Sequence, residues 1–242
     1  MFEFLKKLMS NKQSISSNET NFVHRILNTE IKEEPRAQED EIIFGCGCFW
    51  GAEKCFWKLP GVITTSVGYA GGEKKNPTYY EVCSGITGHA EVVKVVWNIN
   101  EIDISDLLKM FWECHNPTQK NRQGNDMGSQ YRSTIYYRNE SNKDKIGSSK
   151  EAYQKELNKN NLGTIETEIK KIDTYYYAED YHQQYLAVEG SRQYCSASPT
   201  KVKLGSFNNC NYKLPTKIWD NFNWDIDKCV LRSNNKPIDI NN

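Results

Sequence analysis

The chain has 242 residues, with 31 lysines and arginines against 31 aspartates and glutamates, so no net field draws it to nucleic acid or to an anionic membrane. Its length suits one substantial core with irregular extensions, and no uncharged apolar stretch approaches the roughly 20 residues of a membrane helix. Met1 to Lys7 run into Ser/Asn/Gln-rich sequence rather than a signal-peptide core, so the eight cysteines are expected as reduced thiols in a soluble, cytoplasmic, monomeric protein. Residues 1–40 are polar with few spaced apolar positions and are expected to form a mobile arm. A catalytic domain is expected over 41–190 and an irregular tail over 191–242, packed on the body.

Glu41 to Phe44 is a short apolar run of strand length, and Trp50 to Lys58 reads as a helix. Pro60-Gly61 breaks the chain before a β-branched strand over 62–69, and the valine run 92–96 suits a central strand covered on both faces. Ile104, Leu107, Leu108, Phe111 and Trp112 recur at helical spacing behind Asp103 as N-cap, with Asn116-Pro117 as the stop. A strand over 133–137, a polar helix near 141–158, an alternating strand over 164–169 and a short helix over 178–188 complete the body. Strand-helix-strand taken twice predicts an α+β fold, a ferredoxin-like two-layer α/β sandwich.

The chemistry gathers in three segments. In the run 45–53, Cys48 sits where strand turns into helix, and the free N–H groups there favour an anion, which can lower a thiol from ~8.5 to ~3.5–7.5. Gly47 and Gly51 open an approach to the sulfur, and Phe49 and Trp50 form an aromatic wall beside it. The segments 76–91 and 121–133 carry Tyr79, Glu91, Asp126 and Tyr131 on aperiodic polar sequence that enters a strand, so all three can meet at one end of the sheet. The plainer readings are a buried structural cysteine for Cys48, an ion pair of Glu91 with Arg122 or Arg132, and core rings for the tyrosines.

These segments resemble the peptide methionine sulfoxide reductase family specific for the S epimer, over about residues 42–188. Gly47-Cys48-Phe49-Trp50-Gly51, Thr87-Gly88-His89-Ala90-Glu91 and Gln123-Gly124-Asn125-Asp126 carry the resemblance. It implies that Cys48 attacks the sulfoxide sulfur, Glu91 protonates the oxygen, Tyr79, Asp126 and Tyr131 orient it, and Phe49 and Trp50 hold the methyl group. It also implies that a tail cysteine resolves the Cys48 sulfenic acid and that thioredoxin, or dithiothreitol in vitro, reduces the disulfide, with no bound cofactor and no metal. Cys195 is the preferred resolving residue because Gln193 to Ser198 follow the last expected helix across Gly190, while Cys210 and Cys229 remain rivals or a second shuttle. Two other classes compete: a cysteine hydrolase with His89, His115 or His182 as base, and a zinc module built on Cys46, Cys48, Cys55 and a histidine.

Overall fold

A computed structural model describes residues 23–32, 34–226 and 229–240, with Cys229 given by its backbone only. The main elements are β1 (Glu39–Cys46), α1 (Phe49–Trp57), β2 (Val62–Ala70), α2 (Tyr79–Cys83), β3 (Ala90–Asn98) and α3 (Ile104–Cys114). The short pair β4 (Arg122–Gln123) and β5 (Asp126–Met127) precedes β6 (Ser133–Tyr137), α4 (Lys143–Lys159), β7 (Glu168–Lys171) and β8 (Tyr175–Tyr177). The tail holds α5 (Thr216–Trp219) and α6 (Cys229–Arg232).

Six strands form one mixed sheet in the order β7-β6-β1-β3-β2-β8, antiparallel except between β6 and β7. The valine run therefore lies between two partners and is buried along almost its whole length. Alternate side chains divide the sheet. Phe44, Val93, Val95 and Ile135 face the large core under the helices, while Ile43, Val92 and Tyr136 join a smaller cluster on the opposite face. Phe44 stacks between Phe56 of α1 at 4.9 Å and Phe111 of α3 at 5.0 Å. Those contacts fix α1 against the sheet, and truncating Phe44 to alanine should cost ~3–5 kcal/mol.

The structure differs from expectation in four places. Residues 23–32 are not a loose arm: His24 and Ile31 are buried, and His24 bonds Thr65 Oγ1 at 2.9 Å; residues 1–22 lie outside the described part. The segment after Pro77 contains a helical turn, α2, because Thr78 N–H and Oγ1–H both donate to Glu81 Oε2 at 2.9 and 3.0 Å. Ile165 and Glu166 bond Gln154 and Pro117 rather than a strand, so the ladder to β6 starts at Glu168. Residues 178–188 form two 3-10 turns instead of a helix. Gln184 adopts φ 47°, and its N–H and Nε2 donate to Glu53 at 2.8 and 2.7 Å in place of helical bonds.

Apart from α5 and α6, the described residues of the tail have no regular structure and pack on the body. Lys54 Nζ donates to Ser233 O at 2.8 Å, Trp57 Nε1 to Asn235 O at 3.0 Å and Lys58 Nζ to Asn234 O at 3.0 Å, so the tail is strapped along α1.

Candidate active site

Gly47 makes the turn between β1 and α1 with φ +88°, and a Cβ there would lie 2.5 Å from Gln123. Both facts require glycine. The turn sets Cys48 at the N-cap of α1, where no side chain of its own satisfies the first N–H groups. Two distant residues do so instead. Glu91, at the start of β3, accepts from Phe49 N–H through Oε2 at 3.1 Å, and Ser196 Oγ accepts from Cys48 N–H at 3.4 Å. Carboxyl, thiol and tail thus meet at one end of the sheet, with Cys48 8% exposed and Glu91 2% exposed.

Burial dominates the electrostatics. It pushes the Glu91 carboxyl up to about 8; the Phe49 N–H pulls the other way and the Asp126 charge adds to the rise. A protonated carboxyl therefore persists at neutral pH. Burial and then the Glu91 charge also raise the Cys48 thiol well above its ordinary value, against the pull of the Trp50 N–H. The expectation of an exposed, acidified thiol is corrected: the helix terminus is present, but desolvation outweighs it. Arg132 pairs with Glu168 at 3.0 Å and Arg122 bonds Gly124 O, so neither is the ion-pair partner of Glu91 weighed from the sequence.

Tyr79 and Tyr131 are buried beside this pair, their hydroxyls raised by burial and by Glu91. Cys83 hydrogen-bonds Tyr79, and burial lifts its thiol to about 11. Asp126 is buried and accepts from the Tyr194 hydroxyl through Oδ1 at 2.5 Å. Tyr194 was missed as a site residue; its only signal was its place beside Cys195. Phe49 is buried, while Trp50 is half-buried and stacks on Tyr185 at 3.9 Å.

The histidines are engaged away from the thiol. Trp50 Nε1 donates to His182 Nδ1 at 3.1 Å, and the His182 ring lies 4.5 Å from Tyr79 and 5.1 Å from Phe49. Burial pushes His182 down to about 3, and its Nε2 has no partner among the described residues. His115 bonds Phe111 O at 2.7 Å and Ser133 Oγ at 2.8 Å, and His89 accepts from Gly72 N–H and bonds Lys74 O. A hydrolase base for Cys48 is not assembled among them.

Cys195 is buried with its sulfur against Gly51, one turn along α1 from Cys48; a Cβ on Gly51 would fall 2.5 Å from that sulfur. Cys210 lies elsewhere: the next residue, Asn211, bonds Ser105 in the first turn of α3, whose last residue is Cys114. The Cys229 side chain lies outside the described residues. The nearest approach to a metal centre among the described residues is Cys46, Cys114 and His115, whose ligand atoms lie within 4.8 Å of one another. Both ring nitrogens of His115 already hold protein partners, and Cys48 is not in the group.

The family model described as peptide methionine sulfoxide reductase matches residues 40–213. This chain belongs to that family. It is 56% identical to peptide methionine sulfoxide reductase MsrA of Azotobacter vinelandii over 181 residues, 75% of this chain and 83% of the relative. The Ectopseudomonas mendocina enzyme is 51% identical over 181 residues, 75% and 82% of the two chains. Methionine sulfoxide reductase A of Corynebacterium diphtheriae superposes with TM-score 0.67 at 38% identity, covering 81% of this chain and 96% of that one. Reduced Mxr1 of Saccharomyces cerevisiae gives TM-score 0.61 at 32% identity, with coverage of 73% and 97%. As a peptide methionine sulfoxide reductase, the chain is an oxidoreductase with a mixed α/β fold like those structures.

Proposed function

We propose that the chain reduces methionine-S-sulfoxide in oxidised proteins, with Cys48 as nucleophile and Glu91 as general acid. The observation that carries this reading is the Glu91 carboxyl, held at the first N–H of α1 beside Cys48 and raised to about 8. A sulfoxide oxygen leaves methionine only with a proton, and a carboxyl still protonated at neutral pH supplies it. Cys48 sulfur attacks the sulfoxide sulfur and ends as a sulfenic acid, while methionine sulfur gains two electrons and loses the oxygen. Tyr79, Tyr131 and Asp126 orient the oxygen, and Phe49 and Trp50 receive the methyl group. Cys195 then attacks the sulfenic sulfur, forming a disulfide and releasing water, and thioredoxin or dithiothreitol restores the thiols without any bound cofactor.

The strand order β6-β1-β3-β2, with α1 and α3 as crossovers on one face, supports reading residues 41–190 as a ferredoxin-like catalytic domain. We assign residues 191–242 to a recycling tail, and the protein to a reducing compartment such as the cytoplasm, acting as a monomer. Among the described residues no helix is long and apolar enough to cross a membrane. The test is Cys48→Ser: reduction of a peptide methionine-S-sulfoxide is expected to stop, and retained turnover would remove Cys48 from the role. In Cys195→Ser a first turnover is expected to survive while thioredoxin-driven cycling fails.

A further inference from the structure

Four buried cysteines converge below Cys48. Counted from the N-cap Cys48, the α1 residues Gly51, Ala52 and Cys55 fall at i+3, i+4 and i+7, so they share the face of the helix that runs down from Cys48. At ~1.5 Å per residue Cys55 lies ~10 Å below Cys48, and the Cys195 sulfur rests on Gly51 between them. Cys46 from the end of β1 and Cys114 from the end of α3 complete the group, and Cys114 hydrogen-bonds both Cys46 and Cys55. Cys46, Cys55, Cys114 and Cys195 line one cavity of about 20 Å³, which Trp224 and Val230 of the tail help to close. A cavity of that size admits little more than one water, so the thiols inside it meet one another before any external reagent.

We propose that this cluster is an internal electron reservoir, to which Cys195 passes the disulfide it has formed with Cys48. The inference rests on the reading of Cys48 and Cys195 given above. In the first exchange Cys114 attacks Cys195: the Cys48–Cys195 bond breaks, a Cys114–Cys195 bond forms, and the Cys114 proton ends on Cys48. In the second, Cys46 attacks Cys114, giving a Cys46–Cys114 disulfide and returning Cys195 to a thiol with the Cys46 proton. Cys46 and Cys114 have then lost two electrons, and Cys48 and Cys195 are ready for another sulfoxide. Cys46 and Cys114 are the pair because their sulfurs lie within 4.8 Å of each other and both feel the charge of Cys195. Burial holds the cluster thiols protonated, which makes the exchange slower than the oxygen transfer.

The test counts methionine formed per chain when prereduced protein meets excess peptide methionine-S-sulfoxide with no reductant present. It uses the full chain carrying Cys210→Ser and Cys229→Ser, so that neither of those residues supplies electrons. Two methionines per chain are expected, the second in a slower phase, with a Cys46–Cys114 disulfide in the peptide map. Adding Cys114→Ser, or Cys114→Ala should the first variant fail to fold, is expected to stop the reaction at one. One methionine in the parent, or two in a folded Cys114→Ser variant, overturns the reservoir while leaving the Cys48 reading intact. No methionine in the parent overturns both, and a peptide map of the oxidised natural chain that lacks any Cys114 disulfide overturns the reservoir independently.

Discussion

Two buried carboxyls, Glu53 on α1 and Glu91 at its N-terminus, are built for different work. Glu53 accepts from Thr65 Oγ1 at 3.0 Å and from Gln184 N–H and Nε2 at 2.8 and 2.7 Å, so three donors saturate it and tie the 183–184 turn to the helix. Among the described residues Glu91 accepts from the Phe49 N–H alone, at 3.1 Å, and faces Cys48, Tyr79 and Tyr131. Desolvation raises both, to about 7 for Glu53 and about 8 for Glu91. Burial by itself therefore does not mark a catalytic acid. What separates the two is spare hydrogen-bonding capacity, directed toward a thiol in one case and spent on the chain's own backbone in the other.

The largest expected effect breaks that comparison at Glu91. Glu91→Gln keeps the shape and removes the proton, and the chemical step measured in a single turnover should slow by ~10²–10⁴-fold with the fold intact. A variant of near-natural rate would place the acid elsewhere. In the natural chain the rate should rise about tenfold per pH unit up to about 8, as Cys48 thiolate accumulates, and turn to a flat limb above it, where the gain in thiolate is offset by loss of the Glu91 proton; that flat limb should vanish in Glu91→Gln. Stability carries the same sign. The folded pKa lies above the unfolded value of 4.5, so the native state holds a proton the unfolded chain has released, and stability present below that value declines as pH rises through about 8. Glu91→Gln should remove the part of the decline between about 7 and about 8, leaving the parts that belong to Glu53, ending near 7, and to Asp106 of α3, ending near 6; denaturant midpoints across pH 4–9 measure it.

How far the sequence reads depends on whether a residue's role is local. The valine run, the stripe from Ile104 to Trp112 and the 133–137 strand follow from periodicity alone, and Asp103 caps α3 by accepting from Ser105 N–H at 2.9 Å as its spacing predicts. Residues 178–188 failed because Ala178, His182, Tyr185 and Leu186 imitate a helical stripe, while Gln183 bonds both backbone groups of Val67 at 2.9 Å and Gln184 serves Glu53. Both bonds span more than a hundred residues, and no local pattern carries them. At the site, the meeting of the Cys48 and Glu91 segments at one end of the sheet was legible in the sequence, whereas the thiol's raised pKa depends on burial that only tertiary packing creates. Tyr194 was illegible for the same reason, since its partner Asp126 comes from β5, far upstream.

The other half of the comparison predicts a different kind of loss. Glu53→Gln presents an amide to donors that need an acceptor, and the buried mismatch should cost ~1–3 kcal/mol, read as a lower denaturant midpoint. Activity per folded molecule should fall far less than in Glu91→Gln. If it fell equally, Glu53 would be acting on the reaction through Gln184, and the division between structural and reactive carboxyl would fail.

Tyr194→Phe sets the finest distinction. It removes the one hydroxyl donated to Asp126 while leaving the ring, which lies 5.1 Å from the Arg192 guanidinium. A single hydrogen bond of this kind contributes ~0.5–1.5 kcal/mol, so kcat/KM should drop by roughly 2–10-fold. Asp126 keeps its backbone position through the β4–β5 pairing, in which Gln123 faces Asp126, so the carboxyl stays near Glu91 and its charge still raises the acid. The pH limb near 8 should accordingly survive in Tyr194→Phe. A limb moved to lower pH would mean that Asp126 had drawn away or found new solvation, making the tyrosine hydroxyl part of what keeps Glu91 protonated rather than a latch between the tail and the site.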